Sequence, residues 1–368
     1  MLSGADFAAW FRLLQTPGIG RDSARRLLAA CGSPGAVFKA RPATLQQLVG
    51  STAAGALCTP PPEYQNRLAA ALFWLDGGAH RHVLTLDHPA WPPALLQTAD
   101  PPLLLYVQGR TELLARPALA IVGSRHPTAQ GKDNAYSFAK ALGEQGYVIV
   151  SGLALGIDGA AHQGALQASA GTVAVVGTGL DIVYPPSHRE LARRIAEQGA
   201  LVSEFAPGTP GLPEHFPLRN RIIAGLTLGT LVVEAGLPSG SLITARLAVE
   251  GGREVFAIPG SIHSPQSKGC HALLKQGAKL VESAADIVDE LRGSRQARLP
   301  LSLPADPAAE PRFTALLEAL GHDPVTLDAL MARTGCAAAE LSALLLELEL
   351  DGQTARLPGG LYQRRSAG

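Results

Sequence analysis

The sequence predicts an α/β protein: a mostly parallel sheet covered by helices, with a helical head before it and a winged helix after it. Three observations carry this. Short apolar runs end at Gly, Ser or Glu turns and alternate with helical stretches through the middle of the chain. The first 76 residues contain helical patterns and no strand pattern. The last 58 residues read as three helices followed by a hairpin.

The head begins with Asp6–Leu14, apolar on one face through Phe7, Trp10, Phe11 and Leu14. Thr16-Pro17-Gly18-Ile19-Gly20 then turns the chain into a helix from about Arg21 to Cys31. This arrangement resembles a helix-hairpin-helix, whose turn exposes backbone N–H groups to a DNA phosphate, with Arg21, Arg25 and Arg26 adding charge. The same pattern also suits a plain helical packing module, and the residues leave both readings open. Pro42–Val49 and Glu63–Leu75 are further helices. Gly77-Gly78 closes the head, and His82–Leu86 and Leu103–Val107 are strands around a proline-rich join. Trp91 within that join is expected to be a packing anchor.

The sheet proper starts at Ala118–Val122, ended by Gly123-Ser124-Arg125, with Thr128 as the cap of a helix from Ala129 to about Gln145. Tyr147–Val150 stops at Ser151-Gly152, a helix opens near Gly156, and Thr172–Val176 stops at Gly177-Thr178-Gly179: a βαβ unit. Ser187-His188-Arg189-Glu190 reads as a capping box launching Leu191–Gln198. Leu201-Val202 is a strand, and Phe216-Pro217-Leu218-Arg219-Asn220-Arg221 lies near the next helix start. Leu228–Val233 leads to Pro238-Ser239-Gly240-Ser241, which opens the helix Leu242–Glu250. Arg253–Ile258 is the last long strand, and Lys279–Val281 and Ala284–Leu291 finish the core.

Ligands of such sheets bind outside the carboxyl ends of the strands, where these turns lie. Arg125 offers a guanidinium fork to phosphate oxygens or, alternatively, to a neighbouring carboxylate. Ser239, Gly240 and Ser241 at a helix start are a phosphate cradle. Of Arg219 and Arg221, one is expected to reach a ligand and the other a carboxylate. Asn220 can donate to a phosphate or a base edge. Phe216 either stacks on a base or fills core. Lys268 and Lys275 flank a short helix and extend the positive site. Asp158 and His162 share a helical face; a general-base pair and a structural pair are both open, and the structural one needs less.

Charge sets a further bound. The 31 Lys+Arg balance 31 Asp+Glu, so no global positive charge marks a nucleic-acid binder and any anion site is local. Cys31, Cys58, Cys270 and Cys336 form no CxxC, which supports neither a disulfide framework nor a zinc knuckle. The N-terminus lacks a basic stretch before an apolar core, and no apolar run reaches about 18 residues. A soluble cytoplasmic protein without membrane insertion is expected. Neither GxGxxG with its downstream acid nor GxxxxGK[ST] occurs, so no cofactor is expected.

After a Pro/Ala/Arg-rich linker at residues 292–311, the tail reads Phe313–Leu320, Leu327–Arg333 capped by Thr326, Ala337–Leu350, and strands Thr354–Leu357 and Leu361–Gln363. Ala337–Leu350 holds the recognition position yet carries Glu340, Glu347 and Glu349 and no Lys or Arg. Duplex readers need donors there. A protein-interaction or accessory module is expected.

GSRHPT (Gly123–Thr128), SGLALGIDGAAHQGAL (Ser151–Leu166), TVAVVGTGLDIVYP (Thr172–Pro185), SEFAPG (Ser203–Gly208), FPLRNRIIAGL (Phe216–Leu226), VVEAGLPSGSLITARLA (Val232–Ala248) and REVFAIPG (Arg253–Gly260) follow one another in this order. Together they closely resemble the DNA-processing protein A family, DprA/Smf, over about His82–Leu291. The resemblance implies an extended Rossmann-like core at residues 82–291, a SAM/helix-hairpin-helix-like head at 1–76 and a winged helix at 312–368. It implies a non-enzymatic homodimer that binds single-stranded DNA and RecA. Such a protein displaces or bypasses single-stranded-DNA-binding protein and loads RecA in natural transformation and recombination. By this likeness Arg125, with Gly123 and Ser124, holds a backbone phosphate, and Ser151, Gly152, Gly177 and Thr178 line the pocket. Phe216, Arg219, Asn220 and Arg221 contact the strand, with Ser239–Ser241 and Lys268 on its wall.

Two other functions fit the architecture. Rossmann-like nucleotide phosphoribohydrolases carry PGGxGTxxE, but the comparable turn here reads PSGSLITA. A winged-helix transcription regulator with a small-ligand core is opposed by the acidic tail helix.

Overall fold

A computed structural model describes residues 3–61, 63–298, 309–321, 325–350, 353–357 and 360–364. The chain divides into two compact units, Met1–Arg292 and Gly293–Gly368.

In the first unit the head comprises α1 (Gly4–Gln15), α2 (Arg21–Cys31), α3 (Pro34–Val37), α4 (Pro42–Val49), α5 (Ser51–Cys58) and α6 (Tyr64–Asp76). Ser3 caps α1 by accepting from the Asp6 N–H at 3.1 Å. Helices α3 and α5 went unread because both are short and α5 carries Gly55 and few large apolar residues. The join and first half of the sheet follow as β1 (Arg81–Thr85), α7 (Pro93–Leu96), β2 (Leu104–Gly109), β3 (Ala118–Val122), α8 (Ala129–Glu144), β4 (Val148–Ser151), α9 (Ile157–Ala165) and β5 (Thr172–Val175). The second half is α10 (Arg189–Gln198), β6 (Ala200–Ser203), α11 (His215–Leu226), β7 (Gly229–Val232), α12 (Gly240–Glu250), β8 (Glu254–Ala257), α13 (Lys268–Lys275), β9 (Lys279–Leu280) and α14 (Ala284–Arg298).

These strands form one nine-stranded sheet in the order β1-β2-β6-β5-β4-β3-β7-β8-β9. Neighbours from β6 to β9 run parallel, while β1–β2 and β2–β6 are antiparallel. Strands β3 to β7 are buried at every residue, as expected of parallel strands covered on both faces. Side-chain alternation assigns each face. Ala118, Ala120 and Val122 of β3 join Val150, Val175, Val202 and the α11 residues Ile222 and Ile223 in one apolar cluster. Leu119 and Ile121 point the other way, to Phe138 and Leu142 of α8 and Ile287 of α14. Trp91 is buried in the first cluster, as a packing anchor should be.

The head does not stand apart. Phe7, Trp10, Phe11, Leu13 and Trp74 share a continuous apolar cluster with Tyr106 of β2, Leu191 of α10 and Leu201 of β6. The Trp74 and Tyr106 rings meet edge-on, with centroids 6.0 Å apart.

Two boundaries differ from expectation. The capping box before α10 does not form: residues 186–188 make a short 3₁₀ turn, His188 is the N-cap and no side chain caps the helix. Glu190 instead pairs with Arg193 one turn on, at 2.6 Å. Helix α14 continues to Arg298, into the segment read as linker; residues 299–308 of that segment lie outside the described residues.

The second unit contains α15 (Ala309–Leu320), β10 (Val325–Thr326), α16 (Leu327–Thr334), α17 (Ala338–Leu350), β11 (Thr354–Leu357) and β12 (Leu361–Arg364). Its strands are ordered β10-β12-β11, all antiparallel, so the two-residue β10 turns the expected hairpin into a three-stranded wing. Leu316, Leu320, Leu330, Leu341, Leu345 and Leu348 form its core. Thr326 caps α16, accepting from the Ala329 N–H at 3.2 Å. Among the described residues no single helix is long and apolar enough to cross a membrane.

Candidate functional site

The strand order reverses between β3 and β7: the chain builds outward from β3 to β6, then returns to lay β7 on the other side of β3. Crevices form at such a switch point because the following helices leave in opposite directions. Here a cavity of about 660 Å³ opens at the carboxyl ends of the strands. Its lining includes Gly123, Ser124 and Arg125 after β3, Phe216, Arg219 and Asn220 of α11, and Ser239, Gly240 and Ser241 at the start of α12.

Gly123 is required by packing. A Cβ there would lie 2.7 Å from Ile157 Cγ1 and 2.9 Å from the Glu234 carbonyl oxygen. Arg125 is exposed, and among the described residues it has neither a carboxylate partner nor a hydrogen bond; its Cζ sits 5.8 Å from the centre of the Phe216 ring. The salt-bridge alternative for Arg125 is therefore not realised. The Glu234 carboxylate is committed to Thr128, accepting from its hydroxyl at 2.6 Å and its N–H at 2.9 Å. That closes the N-terminus of α8. The N-terminus of α12 opens on the cavity instead, with Ser239 as N-cap accepting from the Ser241 N–H at 3.3 Å. Asn220 ties α11 to it, donating from Nδ2 to the Gly240 carbonyl at 3.3 Å.

Arg219 enters the cavity from below, 5% exposed. One Nη donates to the Val175 carbonyl at 2.5 Å, while Nε has no hydrogen-bond partner among the described residues. Burial pulls this guanidinium down to about 10, against the opposing pull of Asp158. Asp158 is the one carboxylate among the described lining residues. Its Oδ2 accepts from the Gly152 and Ala154 N–H groups at 3.1 and 3.3 Å, and burial raises its pKa while Arg219 and these donors resist. Gly152 is glycine because a Cβ would collide with the Arg219 guanidinium.

Seven residues expected at the site lie outside the lining. Ser151 donates to the Ile121 carbonyl at 2.6 Å and Thr178 to the Ile182 carbonyl at 2.7 Å, so both hydroxyls brace the backbone. Gly152 and Gly177 sit behind the lining, making room for Arg219 and Phe216. Lys268 and Lys275 are exposed at the two ends of α13 and do not reach the cavity wall. Arg221 turns away entirely: it pairs with Glu204 at 2.5 Å and Asp100 at 3.3 Å.

That pairing joins a cluster at the head–sheet junction. Arg21 and Arg25 of the head contact Asp100 at 2.6 and 2.8 Å. Burial would raise the Asp100 pKa, but these arginines hold it below the usual carboxylate value. The charges of the hairpin-like turn are thus used in docking the head, and Arg26 pairs with Asp22. Arg221 and Glu204 are nearly buried, so removing one partner leaves the other uncompensated. Arg221→Ala is expected to lower the unfolding free energy in urea by about 3 kcal/mol. A loss below about 1 kcal/mol would place the cluster with ordinary surface ion pairs.

Asp158 and His162 do not form a pair. His162 is fully buried and its Nδ1 lies 2.8 Å from the Thr172 hydroxyl, which itself donates to the Ile149 carbonyl at 2.6 Å. Nδ1 must therefore be the donor, which makes the histidine a structural bridge.

Four polar lining residues escaped the sequence: His126, Tyr184, Thr244 and Gln266. Thr244 was legible in principle, one helical turn after Gly240. Gln266 was not: it arrives from the loop after β8 and donates to the His126 carbonyl at 3.0 Å.

Known proteins resemble this chain over the sheet and over the second unit. Residues 82–292 match the family described as DNA recombination-mediator protein A, and residues 300–360 match the DprA winged helix domain. Protein Smf of Escherichia coli is 43% identical over 308 residues, covering 82% of each chain. The structure of DNA processing protein A from Streptococcus pneumoniae superposes with a TM-score of 0.68 at 36% identity, covering 77% of this chain and 97% of that one. DNA processing protein A from Helicobacter pylori, whose structure is described for its single-stranded DNA binding mode, gives a TM-score of 0.53 at 32% identity, covering 58% of this chain and 98% of that one.

Proposed function

The chain belongs to the DprA/Smf family of DNA-processing proteins, and from that premise we propose that it binds single-stranded DNA in the cavity at the β3/β7 switch point. The observation that carries this reading is the set of anion donors converging there. Arg125 lines the cavity without a carboxylate partner among the described residues, Arg219 is buried in the wall, and α12 presents its N-terminus. Single-strand binding by the Helicobacter pylori relative supports it. The family is non-enzymatic, so the role is capture and handover. Family membership supports the remainder: a cytoplasmic homodimer that protects incoming strands, competes with single-stranded-DNA-binding protein and loads RecA during natural transformation and recombination.

Binding of this kind is directed at the backbone. Each phosphate contact releases counterions, so affinity falls with salt, with a slope of about 0.7 per contact on single strands. Two pockets on one dimer would favour strands long enough to span both.

Titration of single-stranded and duplex oligonucleotides across a salt series tests the proposal. Single strands are expected to bind more tightly. Arg125→Ala is expected to weaken binding about 10- to 100-fold, the value of a charge-assisted hydrogen bond, and to lower the salt slope by about 0.7. Full affinity in the variant, or a preference for duplex, would reject this site. RecA loading needs its own assay: filament nucleation on strands coated with single-stranded-DNA-binding protein, accelerated by the wild type and not by Arg125→Ala.

A further inference from the structure

We infer that Tyr184 is the stacking platform for a nucleobase of the bound strand, an inference that rests on the single-strand reading above and adds base contact to its phosphate contacts. Tyr184 follows β5, lines the cavity and is 50% exposed. Its ring centre lies 5.3 Å from that of Phe216, with the planes tilted by 38°. Phe216 in turn carries the Arg125 guanidinium at 5.8 Å. Three groups from separate chain segments therefore lie in series at the cavity: a cation, an inner ring and an outer ring.

The arrangement is built from behind. A Cβ at Gly177 would lie 3.2 Å from Phe216 Cδ1, and one at Gly211 would lie 3.4 Å from Phe216 Cζ and 3.6 Å from Tyr184 Cγ. Glycine at 177 lets the backbone approach Phe216 closely, and the backbone at 211 lies against both rings. Phe216 is half-buried and engaged by Arg125 and Tyr184, so the more open of the two rings is Tyr184. An aromatic side chain serving only the core would be buried, as Tyr106 is. Every base has a π-face, so such a platform adds affinity without reading sequence. With Arg125 beside it, a phosphate held by the guanidinium would bring its neighbouring base toward the tyrosine.

Stacking and phosphate binding separate by their salt dependence and by their need for a base. Tyr184→Ala is expected to weaken binding of a single-stranded oligonucleotide roughly tenfold. The salt slope should stay at the wild-type value, whereas Arg125→Ala lowers it. Tyr184→Phe should keep the affinity. On an abasic sugar-phosphate oligonucleotide of the same length, wild type and Tyr184→Ala should bind alike. Equal weakening on the abasic and base-bearing strands, or no weakening on either, overturns the inference while leaving the single-strand reading intact. Failure of the wild type to bind single strands at all rejects that reading, and the inference with it.

Discussion

Arg219→Leu is expected to lower the stability of the fold by about 3 to 5 kcal/mol at pH 7, the cost of leaving a buried charge without its counterpart. The charge left behind is Asp158, buried beside it and held by two backbone N–H groups. Burial already raises the Asp158 pKa, and without Arg219 it rises further. A carboxyl raised above its unfolded value of about 3.9 takes up a proton preferentially in the folded state. Its contribution is then lost as pH rises through that window, so the penalty in the variant grows from acid toward neutral pH. Urea unfolding of both proteins at pH 5 and pH 8 checks this. Asp158→Asn in the Arg219→Leu background should recover part of the loss. A penalty independent of pH and unrelieved by the second change would show that Arg219 acts through packing alone.

The second large effect is on acid stability. Burial pulls the His162 imidazole down to about 3, against about 6.5 in the unfolded chain. Between these values the unfolded state holds a proton that the folded state refuses. The stability contribution is therefore fully present above about pH 6.5 and is lost as pH falls toward 3, with a slope approaching 1.4 kcal/mol per pH unit for one proton. His162→Gln keeps a donor for Thr172 but does not titrate. Unfolding free energies measured from pH 5 to 7 should rise with pH less steeply in that variant. Parallel pH profiles would mean that His162 is not the group responsible.

Both effects come from residues whose positions the sequence showed and whose surroundings it did not. The apolar runs of the sheet are local and periodic, so β3, β4, β5 and β7 were located to within a residue or so at their ends. The site turns were legible for the same reason: Gly123-Ser124-Arg125 and Ser239-Gly240-Ser241 each stop a strand or open a helix. The capping box before α10 misled because its pattern is local too, whereas the structure starts that helix from a 3₁₀ turn. The lysines of α13 were placed near the site by order along the chain, and order says nothing about the distance across a crevice.

Arg219 and Arg221 show where the division falls. The sequence by itself determined that both lie near the start of a helix, about 200° apart around its axis, so that the two face different surroundings. It also determined the family, through seven motifs in one order. Which arginine goes where was decided only by the tertiary structure. The carboxylates that hold Arg221 come from Asp100, before β2, and Glu204, after β6, while Gly152, after β4, clears the space for Arg219. Strand order brings these segments together, and a pairing set by strand order is not written in the spacing of neighbouring residues.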